Sequence, residues 1–136
     1  MSTSIQTAGL VVVRDNKLLL AYSKNKNAWY LPGGKVDAGE TSLQSLQREV
    51  WEELTLQIEE AELSYYGHIT APAYGENVNL IMEQDCYLYD LNKAIEPGNE
   101  IGAVQFFDSE SYAHEPAQVP GVLELFKRLK TDGLLV

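Results

Sequence analysis

The stretch from Leu31 to Leu56 constrains this chain most. It reads Leu-Pro-Gly-Gly-Lys-Val-Asp-Ala-Gly-Glu, then Thr-Ser-Leu-Gln-Ser-Leu-Gln, then Arg-Glu-Val-Trp-Glu-Glu-Leu-Thr-Leu. A glycine-rich loop therefore feeds an acidic helix. Thr41 with Gln44 three residues on is a capping-box signal, which starts the helix at Thr41. No Gly or Pro follows before Leu54. At about 100° per residue, Leu43, Leu46, Val50 and Leu54 fall in one stripe that needs a core to face.

Glu49, Glu52 and Glu53 occupy a separate arc, spaced i, i+3, i+4. Carboxylates one turn apart repel each other unless something neutralises them. Two readings are open at this point. One is a solvated acidic face partly balanced by Arg48. The other is a site for a hard cation such as Mg²⁺, which takes oxygen ligands and is often shared with substrate phosphates.

The wider spacing bears on that choice. Gly34 is followed after five residues by Glu40, and after seven more by Arg48-Glu49-Val50. Glu52-Glu53 and Thr55-Leu56 follow, each after one residue. This resembles the Nudix box: Gly, five residues, Glu, seven residues, Arg-Glu-apolar, any, Glu-Glu, any, Gly-apolar. Every fixed position matches except the last Gly, which is Thr55 here. The preceding Trp29-Tyr30-Leu31-Pro32-Gly33 is similar to the usual lead-in. A Gly at the Thr55 position commonly caps the helix in the left-handed conformation. A β-branched residue is strained there, so the spacing predicts a different helix end or a shifted backbone.

The remaining composition agrees with this resemblance. At 136 residues the chain reads as one domain, 1–136, able to bury roughly two-thirds of its unfolded surface. A formal net charge of −10 gives no basic footprint for a nucleic acid polymer, and makes polyphosphate binding difficult without metal ions. Cys86 is the one cysteine, so no intramolecular disulfide forms; in a strand-like run it reads as buried filler. No leader-like segment or membrane-length apolar run is visible, and a cytoplasmic location is the expectation. The oligomeric state is open, with a homodimer among the options.

Along the chain, Gln6–Val13 and Lys17–Tyr22 read as a hairpin joined at Asp15-Asn16. Ser23–Asn27 is a polar loop whose Lys24 and Lys26 either meet substrate phosphates or are simply solvated. Trp29 and Tyr30 read as packing beside the glycine loop, with base stacking as the alternative. Leu63–Ile69, Val78–Tyr89 and Ile101–Phe107 read as strands, with Ala71–Asn77 and Leu91–Asn99 as connections. The even positions of Val78–Tyr89 are mostly apolar while Glu83 and Asp85 are odd, which predicts one buried face. Pro120 starts a last helix, with Val122, Leu125, Phe126 and Leu129 on one side and Gly133 beyond its end. His68 and His114 are isolated and read as surface or packing residues. Helices covering a mixed sheet give an α/β or α+β layered fold.

The resemblance implies the Nudix α/β/α sandwich with a mixed β-sheet, within the α/β class. It implies that Glu52 and Glu53 bind Mg²⁺ (or Mn²⁺), that Glu49 binds metal or acts as general base, and that Arg48 orients these carboxylates. It implies a metal ligand at the Gly33 carbonyl and a structural role for Glu40. Some members draw a further acidic ligand from a later loop; Glu100 is the candidate, with Glu83 and Asp85 as alternatives. The implied activity is metal-dependent cleavage of a pyrophosphate bond in a nucleoside diphosphate linked to another group. Small size is similar to the mutator-type enzymes that convert a nucleoside triphosphate to monophosphate and pyrophosphate. The alternative is a non-hydrolytic, nucleotide-sensing module of the same fold. Such modules often lose box carboxylates, and all are present here.

Overall fold

The capping signal at Thr41 is used. Its Oγ1 accepts from Gln44 N–H at 3.1 Å, and Gln44 Oε1 accepts from Thr41 N–H at 3.0 Å. Two of the orphan donors of the first turn are thereby satisfied. In the computed structural model, which describes residues 3–75 and 79–136, the helix (α1) spans Ser42–Leu54. Leu46, Val50 and Leu54 are fully buried, and Leu43 packs beside them.

The helix ends at Thr55 in the left-handed region, φ 56° and ψ 40°, with Thr55 N–H bonded to Trp51 O. Neither expected alternative is adopted: the β-branched residue takes the strained conformation outright. Its Oγ1 donates to Glu96 O at 2.7 Å, which offsets part of the strain and ties the helix end to the 91–99 connection. Thr55→Ala keeps the strain and loses that bond, an expected cost of about 1 kcal/mol. Thr55→Gly also loses the bond but releases roughly 1 kcal/mol of left-handed strain. Urea titrations should therefore find Thr55→Gly more stable than Thr55→Ala; the reverse order would remove the strain argument.

Strands β1 (Thr3–Val11), β5 (Gly33–Lys35), β6 (Leu63–Pro72) and β7 (Leu80–Tyr89) form one sheet in the order β5-β1-β7-β6. The β1–β7 pair is parallel and the others antiparallel, so the sheet is mixed. Strands β2 (Val13–Arg14), β3 (Lys17–Ser23), β4 (Ala28–Tyr30) and β8 (Ile101–Phe107) form a second sheet around β3. Ala8, Leu10, Val12 and Leu19 pack with α1, whereas Val11, Leu18, Leu20 and Cys86 pack with Val122, Leu125, Phe126 and Leu129 of α3 (Pro120–Thr131). Helices thus cover both sides, which explains the unbroken apolar run Leu10–Val13.

Several expectations change. Gln6–Val13 is not one strand of a hairpin: Val12 separates β1 from β2, and the two enter different sheets. The Asp15-Asn16 turn itself is present, with both residues at positive φ. Strand β7 buries both faces, since Gln84 and Cys86 point one way and Tyr87 and Tyr89 the other. Its expected start, Val78, lies outside the described residues. Ala71 and Pro72 belong to β6 rather than to a loop. The short strands β4 and β5 and a short helix α2 (Ser109–Ala113) carry too few residues for periodicity to find them. Cys86 is buried filler as expected, and burial pushes its thiol up to about 12.

Candidate active site

Both glycines of the pair lie in the edge strand β5. Gly33 and Gly34 pair with Gly9 and Ala8 of β1. Gly33 has φ +138°, and a Cβ there would lie 2.0 Å from Ala8 O. At Gly34 a Cβ would lie 2.5 Å from Glu49 Oε2, so the Glu49 carboxylate occupies the space the missing side chain leaves. Both glycines let α1 dock its acidic arc directly onto the strand backbone.

Glu53 sits deepest, only 6% exposed. Its Oε1 accepts from Gly33 N–H at 3.0 Å. Gly33 therefore meets the acids first through its N–H, where a role for its carbonyl was expected. Burial pushes the Glu53 carboxyl up to about 8 despite that bond, and the charges of Glu49, Glu100 and Glu52 add to the shift. Burial also raises Glu49, with Arg48 acting in the opposite direction. Glu100 stands close enough to push both groups upward, so the 91–99 connection delivers it to the site rather than to open solvent.

Arg48 collects the rest. Its Nε and Nη2 hold Glu40 in a two-point pairing at 2.8 and 2.9 Å, and its Nη1 donates to Glu49 at 2.8 Å and Glu52 at 3.2 Å. Asp37 lies 3.2 Å from Nη2. The guanidinium holds the Glu40 carboxyl down at about 2, with help from Asp37 N–H. Glu40 is thus the ion-pair partner of Arg48. Glu52 turns toward Arg48 at the rim. Among the described residues, no three acidic, histidine or cysteine side chains are set to hold a metal ion as they stand.

A cleft of about 240 Å³ opens beside these groups, lined by Gly33, Gly34, Glu53 and Glu100 at one side and by Tyr30, Tyr74 and Met82 elsewhere. Lys26 also lines it, with Nζ 3.4 Å from Gly75 O; Lys24 does not. Trp29 packs edge-on against Tyr22 and Phe107, as core packing requires, whereas Tyr30 faces the cleft and meets Tyr74 edge-on. Glu83 and Asp85 are not in the cleft. They clamp His68 of β6 through Nε2 at 2.7 Å and Nδ1 at 2.8 Å. Both hydrogen bonds, that to Asp85 foremost, raise the His68 pKa. Only the β6–β7 register brings these three together, so no sequence spacing announces them.

The NUDIX domain family model matches residues 4–129. The chain belongs to this family. Among curated relatives, a "MutT-like protein" of Streptomyces ambofaciens is 39% identical over 61 residues, covering 45% of this chain and 40% of that protein. The "RNA pyrophosphohydrolase" of Francisella tularensis subsp. mediasiatica is 36% identical over 50 residues, 37% of this chain and 32% of that protein. The matched segments thus span well under half the length of these relatives. A solved structure, the MutT protein of Methanosarcina mazei Go1, superposes with a TM-score of 0.73 at 19% identity, covering 96% of each chain. That likeness establishes the Nudix α/β fold. No described helix is long and apolar enough to cross a membrane.

Proposed function

We propose that residues 1–136 form a single Nudix hydrolase domain that cleaves a pyrophosphate bond in a nucleotide derivative with the aid of Mg²⁺ or Mn²⁺. A nucleoside triphosphate giving monophosphate and pyrophosphate is the favoured substrate class, and the cytoplasm the favoured site of action. One observation carries the reading: Glu53 is a buried carboxylate whose only hydrogen-bond partner among the described residues is a backbone N–H. Arg48 is the nearby cation, and Glu40, Glu49 and Glu52 already share it. A buried carboxylate without a paired cation gains from binding one. The neighbouring donors are oxygens throughout, the set that Mg²⁺ and Mn²⁺ prefer.

Glu53, Glu52, Glu49, Glu100 and the Gly33 backbone would hold the ion. A bound divalent cation supplies charge neutralisation and a more acidic water. The protein's own groups do the rest. Gly33 N–H fixes the Glu53 carboxylate, and the missing side chain of Gly34 leaves the space that the Glu49 carboxylate occupies. Burial makes Glu49 a better proton acceptor than an exposed glutamate, which suits a general base. Arg48 positions Glu49 and Glu52 through its fork.

The test is a panel of nucleoside triphosphates and nucleoside-diphosphate derivatives with Mg²⁺, with phosphate and pyrophosphate detected separately. Pyrophosphate release from a triphosphate should fall to the enzyme-free rate after chelation and return on adding Mg²⁺. Turnover that survives complete metal removal would rule out the mechanism. Binding without turnover across the panel would favour the sensing module.

A further inference from the structure

Four polar or charged side chains are buried among the described residues: Thr7, Ser45, Glu53 and Gln84. Ser45 donates to Lys35 O, and Glu53 belongs to the acidic group. Thr7 and Gln84 remain. They are register partners on β1 and β7, and both line the cleft two positions along β1 from the Gly9–Gly33 pair.

Gln84 is only 8% exposed. Its side chain has one hydrogen bond among the described residues, a weak one from the Cys86 thiol to Oε1 at 3.9 Å. Among the described residues Nε2 has no partner, and in either orientation of the amide one end stays unpaired there. The amide is also given room: a Cβ on Gly9 would lie 3.0 Å from Nε2. Among the described residues Tyr89 Oη is the one fully buried side-chain polar atom without a partner, so the unpaired Gln84 Nε2 is open to the cleft that it lines. Thr7 complements it. The Thr7 hydroxyl proton goes to Glu83 O at 3.1 Å, so toward the cleft the oxygen offers lone pairs. Tyr30, Tyr74, Ile5 and Met82 supply apolar surface beside them in the same cleft.

We propose that Gln84 and Thr7 read the edge of a nucleobase lying in this cleft, Gln84 donating to a ring nitrogen or exocyclic oxygen and Thr7 accepting from an N–H. This rests on the nucleotide reading given above and assigns the residues that recognise the base. The apolar tyrosine, isoleucine and methionine surface suits the ring, and one donor beside one acceptor suits the paired N–H and lone pair on a base edge. A base-free sugar phosphate offers rotating hydroxyls in place of that fixed pair of donor and acceptor.

The experiment is calorimetric titration of the four common nucleoside 5′-monophosphates and of ribose 5-phosphate into wild type, Gln84→Met and Thr7→Val. No turnover is needed. Wild type should bind at least one monophosphate roughly 10-fold or more tightly than ribose 5-phosphate. Gln84→Met should lose about 10- to 100-fold for that nucleotide and keep its affinity for ribose 5-phosphate. Its Tm should stay near that of wild type, because an apolar chain of equal length replaces an amide that makes no strong hydrogen bond within the protein. Thr7→Val, which keeps the β-branch, should lose roughly 3- to 10-fold and carries the test independently if Gln84→Met misfolds. Unchanged base preference in the folded variants overturns the proposal. So does a lowered Tm with preference retained, which would make the amide structural. Wild type binding every monophosphate only as well as ribose 5-phosphate also overturns it. The hydrolase reading would still stand or fall separately, on metal-dependent pyrophosphate release.

Discussion

Glu53→Gln will fold, gain stability at alkaline pH without metal, and lose turnover by on the order of 100-fold or more. Glutamine keeps the length of the side chain, and its Oε1 can still accept from Gly33 N–H. What disappears is the negative charge that would hold a cation. The stability effect follows from linkage. The folded carboxyl titrates at about 8 against an ordinary value of 4.5. Between those two pH values the folded state holds a proton that the unfolded chain has released. The associated stability is therefore complete below pH 4.5 and is lost as pH rises through about 8. Wild-type metal-free protein should weaken over that window by on the order of a few kcal/mol, and Glu53→Gln should lack this component. A like-charge pair on an exposed helix face gives only a few tenths of a kcal/mol; burial is what enlarges the effect here. Melts at pH 5 and pH 9 with chelator, and kinetics at limiting Mg²⁺, check both halves. Full metal-dependent activity in the variant would sink the site assignment, and an unfolded variant would make Glu53 a structural residue.

Leu46→Ala, on the other side of the same helix, should cost roughly 2–5 kcal/mol. Leu46 is fully buried with Val50, Leu54, Leu10 and Leu56, so truncation leaves a cavity that two rigid layers cannot close. Activity should fall only as far as the folded fraction does. The activity per folded molecule, measured well below the variant's Tm, should stay near that of wild type. A loss of activity in fully folded Leu46→Ala would show that α1 must hold its position to a fraction of an ångström for the carboxylates to work. The pair of variants separates the two faces of one helix: one acts on charge in the cleft, the other on packing beneath it.

Both faces of α1 were readable because a helix is a local object. Its cap, its apolar stripe and its acidic arc are set by spacings of three and four residues, and the structure keeps all three. The last helix is similar: Pro120 stands at its first position and the four predicted apolar residues are buried. What spacing could not distinguish is Glu52 from Glu53, adjacent residues of the same type. Packing decides that Glu53 enters the cleft against Gly33 N–H while Glu52 turns to Arg48 at the rim. Thr55 shows the same limit. Its left-handed conformation depends on Glu96 O, supplied by a connection 41 residues away. Strand pairing is remote by nature, so the split of the first strand between two sheets, the clamp on His68 and the meeting of Thr7 with Gln84 left no mark on neighbouring residues. Local hydrogen bonds and periodicity determined the acidic helix and its cap from sequence alone. Register between distant strands, which only the folded chain establishes, decided which of its carboxylates is buried and what lies across the cleft from it.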